Sequence, residues 1–207
     1  MSKQVDNTAQ QSTEQRIKNA ARKVFHAKGF AATRTRDIAE EAGVNLALLN
    51  YYFKNKQKLF DIVMAETMYD FLHIVSSTLN NEELSFEQRI ENFASLYIDK
   101  LIEEPLIAQF ILSDLHNSSK PSILPSKIKE IVTRSGVVQL YNQKMIERGQ
   151  TPINVLHVLV NVIGLAVFPF MGKPILKGVG GIDDSEFKEL MLERKKLIPI
   201  WINAMFF

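Results

Sequence analysis

The stretch Thr33–Lys58, TRTRDIAEEAGVNLALLNYYFKNKQK, decides how this chain folds. Ile38, Ala39 and Ala42 fall at the i, i+1, i+4 spacing of one face of a short amphipathic helix. Gly43 then ends it, because a helix C-terminus commonly needs a residue that tolerates the left-handed conformation. Asn45 is a good N-cap for a second helix, its side-chain oxygen accepting from the first free amides. Within that helix Leu49, Tyr52 and Phe53 recur at i, i+3, i+4 and leave Leu46, Ala47, Leu48, Asn50 and Tyr51 on the other side. Val44 plugs the corner, and the small Ala39 lets the second helix cross closely over the first. The spacing predicts a helix-turn-helix.

Outward from this core, Thr13 to Lys28 reads as a supporting helix, with Ile17, Ala20, Ala21, Val24 and Phe25 as its apolar stripe and Gly29 as its end. Phe30 closes the small core. On the other side Asn55 caps a long helix that carries Leu59, Phe60, Val63, Met64, Phe71, Leu72 and Val75 to about Leu79. A helix of that length bridges two modules. The expected division is a flexible N-terminal arm at 1–12, a DNA-binding domain at 13–60 and a helical regulatory and dimerisation domain at 61–207.

Charge follows the same division. Residues 13–58 hold ten Lys or Arg (16, 18, 22, 23, 28, 34, 36, 54, 56, 58) against four acids (14, 37, 40, 41), although the whole chain carries only +2. A basic segment on an acidic body suits a phosphate-binding module attached to a regulatory one. The sequence contains no cysteine, which excludes disulfides, thiolate metal sites and a cysteine nucleophile and suits a reducing compartment. The polar first residues, MSKQVDNTAQQST, do not read as a signal peptide.

Beyond Leu79 the pattern stays helical. Ser85 and Gln88 form a capping-box pair ahead of Ile90, Phe93, Ala94, Tyr97, Ile98 and Leu101. Pro105 interrupts, Leu106 to His116 is a short apolar helix, and Ser126 to Arg148 reads as one further helix. Ile153 to Met171 contains no charged residue. Its length suits a membrane span, but Asn154, His157 and Asn161 make a polar stripe that is costly in lipid. A helix buried inside its own domain or against another subunit is the expectation. Residues 172–184 read as a Gly- and Pro-containing loop, and a last helix runs almost to Phe207. No strand pattern occurs, so the fold class is all-α.

The central stretch resembles the DNA-binding domain of the TetR family of bacterial transcription regulators, by Thr33, Ile38, Ala39, Ala42, Gly43, Val44, Leu49, Tyr52, Phe53, Lys56 and Leu59. Asn45 in place of the usual Ser or Thr, Ala47 in place of Gly and Asn50 in place of Tyr depart from the family pattern on its groove-facing side. The resemblance implies that the second helix enters the major groove, where base edges are distinguishable. Asn50 is then the best adenine reader, Leu46 or Leu48 packs on a thymine methyl, and Asn45 heads the reading helix. Arg36 reaches a base or phosphate, while Thr33, Thr35, Tyr51, Tyr52 and Lys56 are candidate phosphate contacts, Tyr52 reading equally well as a core aromatic. It further implies a homodimer on a palindromic operator, a helical C-terminal bundle for dimerisation and ligand binding, and release from DNA by a small, largely apolar effector.

Phe93, Tyr97, Phe110, His116, Tyr141, Met145, His157 and Asn161 are the candidate pocket residues, mixing aromatic walls with few polar groups. Val155, Leu159, Val162, Leu190, Leu197 and Trp201 are the candidate dimer interface. No cofactor, metal or membrane partner is expected, and the localisation that fits is cytoplasmic. An enzyme finds little support: HExxH, G-x-S-x-G and P-loop motifs are absent, Asp114 with His116 is only a pair, and Gly178–Gly181 follows no strand. A helical carrier for apolar molecules is the rival of another class, and the basic turn motif speaks against it.

Overall fold

The computed structural model describes the backbone of residues 2–117 and 124–206 and the side chains of 13–113 and 125–206. The side chains of the expected N-terminal arm at 1–12 and of His116 lie outside those described, while the backbone of 2–12 is part of the first helix. Among the described residues there are eleven helices and no strand. They are α1 (Ser2–Ala32), α2 (Thr35–Ala42), α3 (Leu46–Phe53), α4 (Lys56–Leu79), α5 (Phe86–Glu103), α6 (Ile107–Asn117), α7 (Leu124–Arg134), α8 (Val137–Glu147), α9 (Leu156–Met171), α10 (Lys173–Gly180) and α11 (Asp184–Phe206). Two compact units result, Met1–Tyr69 with Gln109–Asn117 and Asp70–Ala108 with Ser118–Phe207.

The first unit is built on an apolar seam. Ile17, Ala20, Ala21, Val24 and Phe25 of α1 are buried together with Ile38, Ala39 and Ala42 of α2, Leu49 and Phe53 of α3, and Leu59, Phe60 and Val63 of α4. Regular helix in α1 stops at Gly29, which adopts φ 70°, ψ 176°. That turn drops Phe30 beside Phe60 (ring centroids 4.9 Å apart), which also meets Phe25 at 5.1 Å and Phe110 of α6 at 5.6 Å. His26 is satisfied within this cluster, its Nε2 3.1 Å from the Thr67 hydroxyl and its ring 4.5 Å from that of Phe110.

In the second unit α5 packs on α9 and α11, and α9 packs on α11. Ser85 and Gln88 make the expected reciprocal cap at the head of α5, at 2.9 and 3.3 Å. The Asp99 carboxylate accepts from Lys195 at 2.8 Å, tying α5 to α11. Arg194 ties α11 to α9 through the Leu165 carbonyl at 2.8 Å and lies 5.0 Å from the Trp201 ring.

Three expected elements differ. The single helix over 126–148 is two, because Gly136 adopts φ 67° between α7 and α8. Its left-handed turn releases the Ser135 carbonyl from the helical ladder, and Arg89 takes it. The expected loop over 172–184 contains α10, which has Pro174 in its first turn and stops at left-handed Gly181. The charge-free helix begins at Leu156, not Ile153, where the Asn154 side chain accepts from the Leu156 amide at 3.0 Å. Among the described residues no single helix is long and apolar enough to cross a membrane; α9 with α10 passes by composition but bends by 71° between them.

Arg89 is the buried cation of this unit, 2 % exposed. It donates to the carbonyls of Leu79 (2.6 Å), Ser135 (2.8 Å) and Leu84 (3.2 Å), joining the ends of α4 and α7 to the loop before α5. Helix C-termini carry partial negative charge, so these carbonyls offset the guanidinium. Arg89→Ala leaves buried acceptors unmet and is expected to lower unfolding stability by about 1–3 kcal/mol, measured by urea denaturation followed by circular dichroism.

Candidate nucleic-acid interface

The turn between α2 and α3 is fixed by backbone chemistry. Gly43 sits at φ 62°, ψ 37°, so its amide meets the Glu40 carbonyl at 3.0 Å and the Val44 amide meets that of Ala39 at 2.9 Å. Arg16 reaches across from α1 to the Ala42 carbonyl at 2.7 Å. A Cβ on Gly43 would meet that guanidinium at 3.3 Å, in addition to its backbone strain. The Asn45 carboxamide oxygen accepts from the Leu48 amide at 2.8 Å, which starts α3.

These constraints leave α3 with two faces. Leu49 and Phe53 are buried and anchor it. Leu46, Ala47, Leu48, Asn50 and Tyr51 are exposed, Tyr51 by 70 %. Arg36 is exposed and Thr35 half-buried at the start of α2. Tyr52 is half-buried and packs edge-on to Tyr51 at 5.4 Å, an intermediate between wall and contact.

Two expected phosphate contacts are engaged elsewhere. Thr33 is 2 % exposed, and its hydroxyl donates to the Gly29 carbonyl at 2.6 Å, closing the non-helical turn after α1. The Lys56 ammonium donates to the carbonyls of Phe30 and Thr33, each at 2.9 Å, and stands 4.1 Å from the Phe30 ring centroid. Sequence spacing put Lys56 in the first turn of α4, but nothing in that spacing shows the two carbonyls that α1 turns towards it.

The expected pocket residues do not converge. An apolar cavity of about 60 Å³ lies in the second unit. Its walls are Phe71, Val75 and Leu79 of α4, Ile90 and Phe93 of α5, Ile128 and Val132 of α7, and Leu159, Val162 and Ile163 of α9. Phe93 alone of the expected set is a wall. Tyr97 is buried one turn along, stacked on Phe93 at 5.5 Å, and burial pushes its phenol up to about 12. Tyr141 and Met145 are buried in α8, with the Tyr141 ring 5.7 Å from Phe86. Phe110 belongs to the first unit. His157 is exposed, and Asn161 donates back to the His157 carbonyl at 2.7 Å, off the 159/162/163 stripe that faces the cavity.

The expected interface on α9 is one residue out of phase. Val162 is 1 % exposed and, with Leu159, walls the cavity, while Val155 is half-buried. The exposed apolar residues of α9 are Leu156 (59 %) and Val160 (67 %), with Ile163 (44 %) lying between this face and the cavity. On α11 Leu190 is exposed, Leu197 and Trp201 are half-buried, and Ile200 and Met205 are more open than any of the three.

Asp37 ties the start of α2 to α1. The hydrogen bond from Lys28 at 2.9 Å, followed by that from the Arg34 amide at 3.2 Å, holds its carboxyl below the usual carboxylate range. The contribution is complete above the ordinary value of 3.8 and is lost as pH falls through the lowered one. Asp37→Asn is therefore expected to lower the melting temperature at neutral pH and to converge on the unmodified chain only as pH falls through that lowered value, read by calorimetry.

Residues 17–63 match the family of bacterial regulatory proteins, tetR family. Over 206 residues the chain is 25 % identical to the probable HTH-type transcriptional regulator YttP of Bacillus subtilis (strain 168), covering 94 % of both chains. HlyIIR, a hemolysin II transcriptional regulator, has the same fold with a TM-score of 0.57 at 22 % identity, over 87 % of this chain and 97 % of that one. The regulator FadR of Bacillus subtilis, solved in complex with stearoyl-CoA, gives a TM-score of 0.51 at 19 % identity, over 89 % and 96 %. The helix-turn-helix built as described is the part that the family match covers: residues 17–63, from α1 into α4, form the DNA-binding segment of the bacterial regulatory proteins of the tetR family.

Proposed function

We propose that the chain is a cytoplasmic, ligand-responsive repressor that binds a palindromic operator as a homodimer and is released by a small, largely apolar effector. The observation that carries this reading is the exposed face of α3, projecting from a corner fixed by Gly43 and Arg16. Asn50 on that face donates to and accepts from adenine, Leu46 and Leu48 meet thymine methyls, and Asn45, Thr35, Arg36 and Tyr51 set register on the backbone. Asn50→Ala is expected to cost about 1–3 kcal/mol of discrimination against a changed operator base while leaving binding to random duplex intact. Titration of both duplexes by fluorescence anisotropy measures it; equal losses on both would remove Asn50 from base reading.

Pairing of two copies through α9 and α11 is supported by the exposed apolar side chains of Leu156 and Val160 on α9 and of Ile200 and Met205 on α11. Two half-sites one helical turn apart call for two reading helices about 34–36 Å apart, which a two-fold dimer supplies. Val160→Asp puts a charge into that face and is expected to convert the dimer to monomers in light scattering at micromolar concentration. A chain that is already monomeric under those conditions refutes the arrangement.

An apolar effector is supported by a cavity whose walls are side chains of Phe, Val, Leu and Ile alone. Its volume, about 60 Å³, lies below the few hundred Å³ of drug-sized sites, so an occupant must part the helices around it. The FadR neighbour was solved with stearoyl-CoA, and a chain of methylenes suits walls of this kind. Occupancy shifts DNA affinity only as far as the effector prefers the DNA-free state. A long-chain acyl-CoA is expected to raise the protein concentration needed to shift the DNA upstream of the chain's own gene. An acyl-CoA that binds without moving that titration overturns the effector assignment.

A further inference from the structure

The cavity of the second unit is walled by apolar side chains alone, and a tyrosine stands one turn beyond them. Ile90 and Phe93 of α5 are walls, and Tyr97 continues their stripe, seven residues after the first and four after the second. Its ring lies 5.5 Å from that of Phe93, stacked at 26°, and 5.5 Å from that of Phe71 of α4, edge-on at 61°. Phe71 is itself a wall. Tyr97 is 5 % exposed and Phe93 8 %, while Phe71 is only half-buried.

The Tyr97 hydroxyl is buried without an evident task. Thr78, Ser135 and Arg89 are also buried in this unit, and each donates to a carbonyl: Thr78 to Ile74 at 2.8 Å, Ser135 to Val132 at 3.0 Å, and Arg89 to three. Tyr97 has no hydrogen-bond partner among the described residues. Burial alone pushes its phenol up to about 12, so it keeps its proton and is a donor throughout the neutral range. A hydroxyl withdrawn from water without a protein acceptor costs stability. Phenylalanine at this place would keep both ring contacts and avoid that cost. Packing explains the ring and leaves the hydroxyl unexplained.

An occupant larger than about 60 Å³ must displace wall side chains, and the Phe71 and Phe93 rings are walls that touch Tyr97. We propose that Tyr97 is the specificity-determining residue of the effector site, its hydroxyl donating to the uncharged carbonyl oxygen of an acyl chain once those two rings move aside. The assignment rests on the apolar-effector reading above and adds to it the polar contact that orients the chain. A carboxylate suits the place less well. Arg89 is engaged by three carbonyls and the Lys100 ammonium by Glu104, so neither is spare to meet a buried negative charge.

Myristoyl-CoA and S-tetradecyl-CoA, its thioether analogue, differ only in that carbonyl. Calorimetric titration of the full chain with each is expected to show myristoyl-CoA binding about three- to tenfold more tightly, the ratio that one neutral hydrogen bond supplies. Tyr97→Phe is expected to bring the ratio to one by weakening myristoyl-CoA alone, with the ligand-free melting temperature unchanged or raised. A Tyr97→Phe chain that keeps the preference overturns the assignment. So does one that melts lower and weakens both ligands equally, which makes Tyr97 a packing residue only. Equal binding of the two ligands by the unmodified chain removes the carbonyl contact and leaves the apolar-effector reading standing. Binding of neither removes that reading, and this assignment with it.

Discussion

The left-handed peptide at Gly43 is the constraint on which the DNA-binding unit depends. It turns the chain from α2 into α3 within two residues, and it does so only because no Cβ stands there. The corner consumes the carbonyls of Ala39 and Glu40 and leaves that of Ala42, which Arg16 of α1 meets. The direction of α3 is thus inherited from α1, and α1 is held in turn by Phe25 within the Phe30–Phe60–Phe110 cluster. Orientation of the exposed face follows from packing several residues away.

Charge serves two purposes in the same segment. Exposed ion pairs add little each, because solvent screens them and long side chains lose freedom. Three carboxylates on α2 and α4 nevertheless fix four cations of α1 in place, and the partly buried grip of Lys56 on two carbonyls is stronger in kind than an exposed pair. Net charge read from composition sums these internal partners with whatever faces outward, so it overstates the field that a polyanion meets.

The helix-turn-helix was legible because each of its joints is local. Gly43, Asn45 and the i, i+3, i+4 run of Leu49, Tyr52 and Phe53 act within one turn of themselves, as do Ser85 and Gln88. Tyr52 fits its stripe only in part, being half-buried. What escaped is set at a distance. Thr33 and Lys56 are committed by carbonyls that α1 presents after its turn at Gly29, which spacing in α4 cannot reveal. The phase of α9 escaped for a different reason. With no charged residue its faces differ little in hydropathy, so 159/162 and 156/160 read alike, although Leu159 and Val162 line the cavity and Leu156 and Val160 are exposed. Gly136 was visible but ambiguous, since a glycine within a helical pattern is tolerated at modest cost; its break shows only beside the Arg89 guanidinium that takes the freed carbonyl.

That guanidinium differs from the braces of the other unit in one respect. Its acceptors are peptide oxygens, which neither gain a proton in acid nor compete for dissolved ions as carboxylates do. The joint among the ends of α4 and α7 and the approach to α5 is therefore indifferent to conditions that loosen Asp37 from Lys28. Acid or brine should slacken the reading head of the molecule while the chamber beneath α7 keeps its shape.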